Sequence, residues 1–484
     1  MLWFPDGKQG LKGDRLMGQI FKPCERDQLF LLPPNMREWL PEGHLAYFIV
    51  DLVEQMDLTE ILQHYEKNED GTFKAPTGQP PYDPRMMTGL VLYGYAVGVV
   101  GSRKIETACE EDLPFRIIAG NQRPDHDTIS EFRRVHLKAL ENMFVQVLMI
   151  CAEAGLVKLG HVAIDGTKVK ANASKHKAMS YERMTEREAE LRKEVAALLA
   201  KGQTVDDEDD RRYGKNKRGD EWPAELQRKE DRIKKIQEAR KVVEARAKAK
   251  ALAEGRLTAD GKAVEKPGKK PTDPPGTPGG KDQYNFTDPE SRIMKNSDKA
   301  FVQAYNCQAG GDAKHQIIVA RDVTQQANDK EQALPMTAQV KANTGQSPKQ
   351  ASYDAGYFSD TQVKDLEQAG VDVYCSPDRL KHGEDLPKGR GRMPRAITTI
   401  DRMRRKVRTE KGRDTYSLRK ETIEPIFGQI KNKGLRQFLL RGLEKVRGEW
   451  SLWCTGHNLT KLWRIKGKVC PSWVKSPTWG MGMA

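Results

Sequence analysis

The chain changes period at Gly160, and that change limits what it can fold into. Before it, apolar residues recur at helical spacing: Ile49, Val50, Leu52, Val53, Met56, Ile61 and Leu62 make one such stripe across 45–62. After it, HVAIDGTKV alternates as a strand does. Ala163, Asp165 and Thr167 take one side and β-branched residues the other. Helices followed by strands define an α/β chain with an all-helical front, about residues 1–155.

Within that front, 86–100 is the most apolar run. It is too short to span a bilayer and reads as a buried helix. Asp83 is placed to cap it, with Pro84 at the first helical position. Ser102 is expected to cap the next helix, and Thr128 with Glu131 to form a capping box. Helix, turn and basic helix is a shape that many DNA readers share. The phosphate-contact candidates are Arg103, Lys104, Arg123, Arg133 and Arg134. A solvated basic face of a helical bundle accounts equally for any one of them.

Charge supports a polyanionic partner. The formal net charge is +14 and the pI about 9.2, and such an excess favours nucleic acid. The seven cysteines include no CxxC pair, and the nine histidines are not clustered at ligand intervals. That pattern argues against a disulfide framework and against a zinc site. The first residues lack a secretory signal's apolar core, so a cytoplasmic protein is expected.

From about 174 to 288 the composition breaks. Lys, Arg, Glu, Ala and Gln dominate, with Leu226, Ile233, Ile236 and Val243 at helical spacing. Two amphipathic helices in a coiled-coil-like hairpin fit this block. A Pro/Gly/Lys-rich linker, KPGKKPTDPPGTPGGK, follows. The block reads as an insertion in the strand-bearing domain. Beyond it come FVQAYNCQAGG and HQIIVARDVT as a hairpin, NDKEQALPMTAQVKAN as a helix, QASYDAGYF as a strand, DTQVKDLEQAG as a helix and VDVYCSP as a strand.

Three carboxylates fall at telling places in this order. Asp165 lies on the first strand, Asp354 on a later one, and Glu424 on a helix beside the apolar stripe Ile423, Ile426, Phe427 and Ile430. Lys431 is seven residues, two turns, beyond Glu424 and shares its face. A carboxylate at the edge of a packed stripe needs a partner. The expectation is that the three acids meet around divalent metal, because hard oxygen donors without His or Cys suit Mg²⁺. Each has a plainer reading: a turn aspartate before Gly166, a turn cap at Asp354, and an N-terminal helix acid before Pro425. Asp322 and Asp298 also lie near strands and read as structural. His126 reads as a surface loop residue, and Trp450 and Trp453 as core.

In this order the motifs IDGTKVKANASK, TDPESRIMK, FVQAYNCQA, SYDAGYFS and EPIFGQIK resemble those of the bacterial insertion-sequence DDE transposases. DPRMMTGLVLYGY and RPDHDTISEFRR resemble the helical N-terminal region of the same group. The resemblance implies an RNase H-like mixed sheet flanked by helices. Neighbouring strands would bring the two aspartates together, and a crossing helix the glutamate. It implies Asp165, Asp354 and Glu424 as catalytic metal ligands for two Mg²⁺, with Mn²⁺ able to substitute. It also implies a homodimer on double-stranded DNA that binds terminal inverted repeats, cuts, and joins the ends to target DNA in the bacterial cytosol. The implied layout is a DNA-binding domain at 1–155, a catalytic domain at 156–465 with the insertion at 175–288, and a tail at 466–484.

The family's last motif is Tyr, two residues, Arg, three residues, Glu, six residues, Lys. Tyr416 and Arg419 keep the first gap, and Glu424 and Lys431 the last. The middle gap is four residues, which puts Lys420 at the family distance from Glu424. Arg419 and Lys420 are thus both candidates for the basic position, and Glu421 is a competing carboxylate. Lys431 and that basic residue would hold phosphates, with Tyr416 near the cleaved end. A non-catalytic DNA-binding derivative and a metal-dependent nuclease without strand transfer are the alternatives.

Overall fold

A computed structural model gives the fold, and the structure describes residues 35–66, 80–213, 224–258, 260–264, 274–296, 300–378 and 397–466. The first half of the linker, the basic loop at 381–396, Asp298 and the tail from 467 lie outside them.

Among the described residues, seven α-helices come first: α1 (Leu45–Val53), α2 (Thr59–Glu66), α3 (Pro84–Val97), α4 (Ser102–Glu111), α5 (Leu113–Ile118), α6 (His126–Val135) and α7 (Leu137–Glu153). The stripe across 45–62 is therefore two helices, with Asp57 accepting the Thr59 N–H at the start of the second. Asp83 caps α3 and Pro84 opens it, as expected. Two expected caps differ. Gly101, with no side chain to bond, precedes α4, so Ser102 is already helical. Asp125 accepts from the Thr128 N–H and caps α6, so Thr128 lies inside the first turn and Glu131 bonds Arg134 instead. In both cases the chain becomes helical earlier than the apolar periodicity indicates.

The strands follow. β1 (His161–Lys170) leads to a short ribbon, β2 (Ala178–Ser180) with β3 (Gln283–Asn285). Between them stand the long helices α8 (Tyr181–Tyr213) and α9 (Ala224–Ala253). They pack antiparallel, since Tyr181 bonds Glu244, Glu188 bonds Arg240 and Glu194 bonds Lys229. The hairpin has its own small core of Met184, Leu191, Ile236, Ala239 and Val243.

After it come β4 (Arg292–Lys295), β5 (Phe301–Asp312), β6 (Ile318–Thr324), α10 (Ala333–Thr344), β7 (Gln350–Tyr353), α11 (Asp360–Gln368) and β8 (Asp372–Cys375). Three helices end the described chain: α12 (Thr399–Arg408), α13 (Glu410–Asn432) and α14 (Leu443–Lys466). The sheet order is β4-β5-β1-β7-β8, with β6 also on β5. β5 runs antiparallel to β1 and β6, whereas β7 and β8 run parallel to β1 and β7. β1 is central, and its residues 161–164 are buried without alternation, as a strand covered on both faces requires. The architecture is thus a mixed α/β sheet behind a mostly helical N-terminal region.

One buried core runs through both regions, and α14 joins them. Trp450 donates its indole N–H to the Gln308 carbonyl on β5, and Asn458 bonds both backbone groups of Ile318 on β6. Trp453 meets Tyr95 of α3 edge to face, with ring centroids 5.3 Å apart. Both tryptophans are core residues, as expected. Gly456 lies on the α3 backbone; a Cβ there would stand 2.7 Å from Tyr95 carbonyl atoms.

A second close approach fixes the end of α13. Gly98, the left-handed cap of α3 at φ +94°, lies against the backbone carbonyl of Lys433. Gly98→Ala places a side chain in left-handed geometry and drives it into that carbonyl. Destabilisation of at least about 1–2 kcal/mol is expected from the conformational penalty alone, read as a lower denaturant midpoint. An unchanged midpoint would contradict the contact.

Candidate active site

β1 and β7 pair in parallel with Ile164 opposite Tyr353. One step further along each strand stand Asp165 and Asp354. Neighbouring strands lie about 4.8 Å apart, so the register alone makes these two aspartates neighbours. Asp165 sits within β1, and its Oδ1 accepts its neighbour's N–H, that of Gly166. Asp354 lies just past the end of β7 and caps a single turn, Ala355–Tyr357, by accepting the Gly356 N–H.

The crossing helix α13 brings a cation to the pair. Arg419 Nη1 lies 2.8 Å from Asp165 Oδ2, with the two side chains 13% and 19% exposed. Its guanidinium stands 5.8 Å from the centre of the Tyr416 ring. Burial works against the Arg419 charge, but Asp165, Tyr416, Asp354 and Glu424 together hold its pKa above the ordinary value. Burial pushes Tyr416 up to about 12. For Asp165, burial outweighs the pull of Arg419, and the like charges of Asp354 and Asp329 add to it, so the group is pushed up to about 7. Of the two basic candidates in the motif, Arg419 faces the acids, and Lys420 is exposed.

Glu424 stands five residues beyond Arg419 on α13 and is exposed. Pro425 lies inside this helix, which begins at Glu410, so Glu424 is no N-terminal acid. Glu421 is exposed too, and its carbonyl takes a hydrogen bond from Gln316. Lys431 lies in the last turn. Among the described residues, no three His, Cys, Asp or Glu side chains converge closely enough to hold a metal ion as they stand. The strands bring the two aspartates together, while the charge of Glu424 acts on Arg419. The donor set itself is all carboxylate oxygen, and Asp165 is a buried acid facing like charge, which is the chemistry a hard divalent cation suits.

A further carboxylate lies here that the sequence did not single out. Asp329 stands on the connection between β6 and α10, which starts only at Ala333. It accepts from Asn306 Nδ2 at 2.6 Å, Gln308 Nε2 at 2.7 Å and Lys168 Nζ at 3.2 Å. A Cβ on Gly166 would come within 2.6 Å of Asp329 Oδ1. Tyr357, bonded to Gln308 Oε1, feels Asp165, Asp329 and Asp354 together. Within a segment read as one helix, Asp329 resembled a solvated helical acid, so the sequence carried no signal for it.

The remaining candidates scatter. Arg133 is buried and donates to the Val100 carbonyl at 2.7 Å, which removes it from the surface set. Arg134 pairs with Glu131, and Arg123 lies 3.6 Å from Glu110. Arg103 and Lys104 are exposed on α4, along a cleft of about 820 Å³ shared with Leu40 and Glu111. Asp322 is paired with Arg447 at 3.1 Å and is structural. His126 opens α6 and faces Glu106 at 3.0 Å; it is not in a loop.

An acid within one strand beside an acid just past the end of its parallel neighbour, with an arginine from a crossing helix against them, defines a mixed α/β protein with a charged site on its sheet. Two family models match this chain. A transposase domain (DUF772) covers residues 34–135, and a transposase DDE domain covers residues 390–463. The second spans Tyr416, Arg419, Glu424 and Lys431 but not the two aspartates. No curated protein and no solved structure matches. Both parts are transposase sequence, and the likeness to insertion-sequence DDE transposases holds.

The electrostatics of Asp165 predict a pH-dependent cost. Its pKa is about 7 folded against an ordinary 3.8. A raised pKa gives stability that is present at low pH and lost as pH rises through the folded value. Asp165→Asn should therefore be more stable than the parent at pH 8 in metal-free buffer. The gap should close as pH falls towards 4. Parallel stability curves for the two proteins would contradict the assignment.

Proposed function

We propose that this transposase binds the terminal inverted repeats of an insertion sequence and performs metal-dependent strand cleavage and strand transfer on an RNase H-like scaffold. The observation that carries the reading is the parallel register that sets Asp165 beside Asp354, with Arg419 against them. The strand order supports the scaffold: an antiparallel set of β1, β5 and β6, then β7 and β8 added parallel on the other side of β1. The net charge of +14 supports a DNA partner.

In this reading Asp165, Asp354 and Glu424 are the residues that would hold divalent metal. The metal would supply an activated oxygen nucleophile and a stabilised leaving oxygen in phosphodiester cleavage. The chain's own groups do the rest. Arg419 orients the Asp165 carboxylate and offers a cation to a phosphate. Lys431 adds a second cation on the same helix. Tyr416, protonated throughout the working range, is a hydrogen-bond donor near the cleaved end. The helices of 1–155 would read the repeats, and action at two ends makes a dimer the natural assembly.

A second reading, a non-catalytic DNA-binding derivative, has one observation on its side: Glu424 stands apart from the aspartates. A single set of variants separates the two. With duplexes taken from both flanks of the gene and Mg²⁺ present, Asp165→Ala, Asp354→Ala and Glu424→Ala should each lower cleavage by at least about 100-fold. End binding should survive in all three. Chelation of metal should stop cleavage by the parent protein. Parent-like cutting by Glu424→Ala, with Asp329→Ala inactive, would transfer the third carboxylate to Asp329.

A further inference from the structure

A second charged site lies away from the acids, where α13 ends against α14. A cavity of about 240 Å³ there is lined by Lys433, Lys461 and Arg464 together with Gln429, Asn432 and Thr460. His457, the remaining lining residue, is uncharged, because burial pushes its pKa down to about 3. Among the described residues, no acid lines this cavity. The chain has no Asp or Glu between Pro425 and Leu443, and none after Glu449.

Two of the three cations are held by neutral groups. Lys433 donates to Thr460 Oγ1 at 2.7 Å, and Lys461 donates to Gln316 Oε1 at 2.7 Å. Burial, followed by the charges of Arg464 and Lys461, pulls Lys433 down to about 8. Burial and Arg464 pull Lys461 down as well. The group thus sits in mutual repulsion that a bound anion would relieve. Capping of helix ends is the competing explanation, because Lys433 follows α13 and the other two lie near the end of α14. A helix dipole favours a cation at its own end, but it gives no reason for three to line one cavity. The volume is below that of a drug-sized ligand pocket and suits a small anionic group with its waters.

We propose that this cavity is a phosphate subsite for the backbone of bound DNA, in which Lys433, Lys461 and Arg464 hold one phosphodiester and Asn432, Gln429 and Thr460 supply neutral hydrogen bonds. The proposal rests on the transposase reading above. Its place on α13 fits a track along one duplex. Lys433 follows Arg419 by fourteen residues, which is about 21 Å of helix. That distance corresponds to about six base pairs of duplex, so the subsite would grip DNA away from the reacting bond and set its register.

The test is the salt dependence of duplex binding by the full chain, using the flanking-repeat duplex. Lys461→Gln with Arg464→Gln should make the slope of log affinity against log salt shallower by about 1, because the cavity holds one phosphate. Arg464 is exposed, so Arg464→Gln alone should fold normally and make the slope shallower by a part of that unit. A control pair on other helices, Lys341→Gln with Lys364→Gln, removes the same charge and should leave the slope close to that of the parent. An unchanged slope in the cavity variants, or an equal loss in the control, would overturn the subsite and leave the transposase reading standing. Failure of the parent protein to bind the duplex at low salt would overturn that reading and the subsite with it. A free-anion site is distinguished by thermal melting in inorganic phosphate against chloride at matched ionic strength. Loss of phosphate stabilisation in the cavity variant without any change in the DNA slope would overturn the DNA assignment.

Discussion

The closeness of α13 to the sheet is the constraint on which the site depends. The helix can cross β5 only because Gly311 has no side chain. A Cβ there would collide with Ile426 Cδ1 and come within 3.2 Å of Thr422 Cγ2. The register of β5 against β6 also shifts between Gly310 and Gly311, which bends the strand locally under the helix. Ile423, Ile426 and Ile430 then bury fully on the sheet side. With that stripe fixed, Arg419, one turn before Ile423, meets Asp165 with little freedom to be elsewhere. Packing of apolar residues thus sets the position of a charge.

Two buried acids show how the surroundings separate a structural carboxylate from a working one. Glu449 on α14 is also pushed up to about 7 by burial. Its oxygens, however, accept the N–H groups of Leu439 and Leu440, and after burial these bonds and the charge of Arg133 are the main influences on it. It closes the turn between α13 and α14. Asp165 is raised to the same level but faces Asp354 and Asp329, with Arg419 against it and Lys168 against Asp329. Burial alone does not distinguish the two residues. The like charge beside Asp165 does, because a fold gains nothing from placing carboxylates together unless something positive joins them.

Much of this was legible in the residues, and the exceptions have physical causes. The strand around Asp165, the hairpin of β5 and β6, and the helix carrying Tyr416 and Arg419 all follow from short-range sequence pattern, which is written locally, whereas the burial of both faces of β1 at 161–164 departs from the expected alternation. The choice between Arg419 and Lys420 was not written locally, since both precede Glu424 by about a turn. Only the angle at which α13 lies on the sheet decides it, and tertiary packing sets that angle. Arg133 looked like a surface cation because it sits beside Arg134. Its burial comes from the Val100 carbonyl, thirty-three residues away in the chain. Asp329 was invisible for a similar reason: Lys168, Asn306 and Gln308 give it meaning, and all three come from other strands. Pro425, which suggested a helix start, sits well inside α13.

The charged hairpin leaves and re-enters the fold through one narrow doorway. Ser180 pairs with Gln283 and Ala178 with Asn285, so its two stems lie side by side. Everything from Tyr181 to Asp282 is therefore an excursion with coincident start and finish. Its length can drift without moving Asp165 on one side or β5 on the other, because closing a longer loop costs only slowly more entropy. Evolution is free to lengthen, shorten or repurpose this arm as a separate module while the acidic centre stays unchanged.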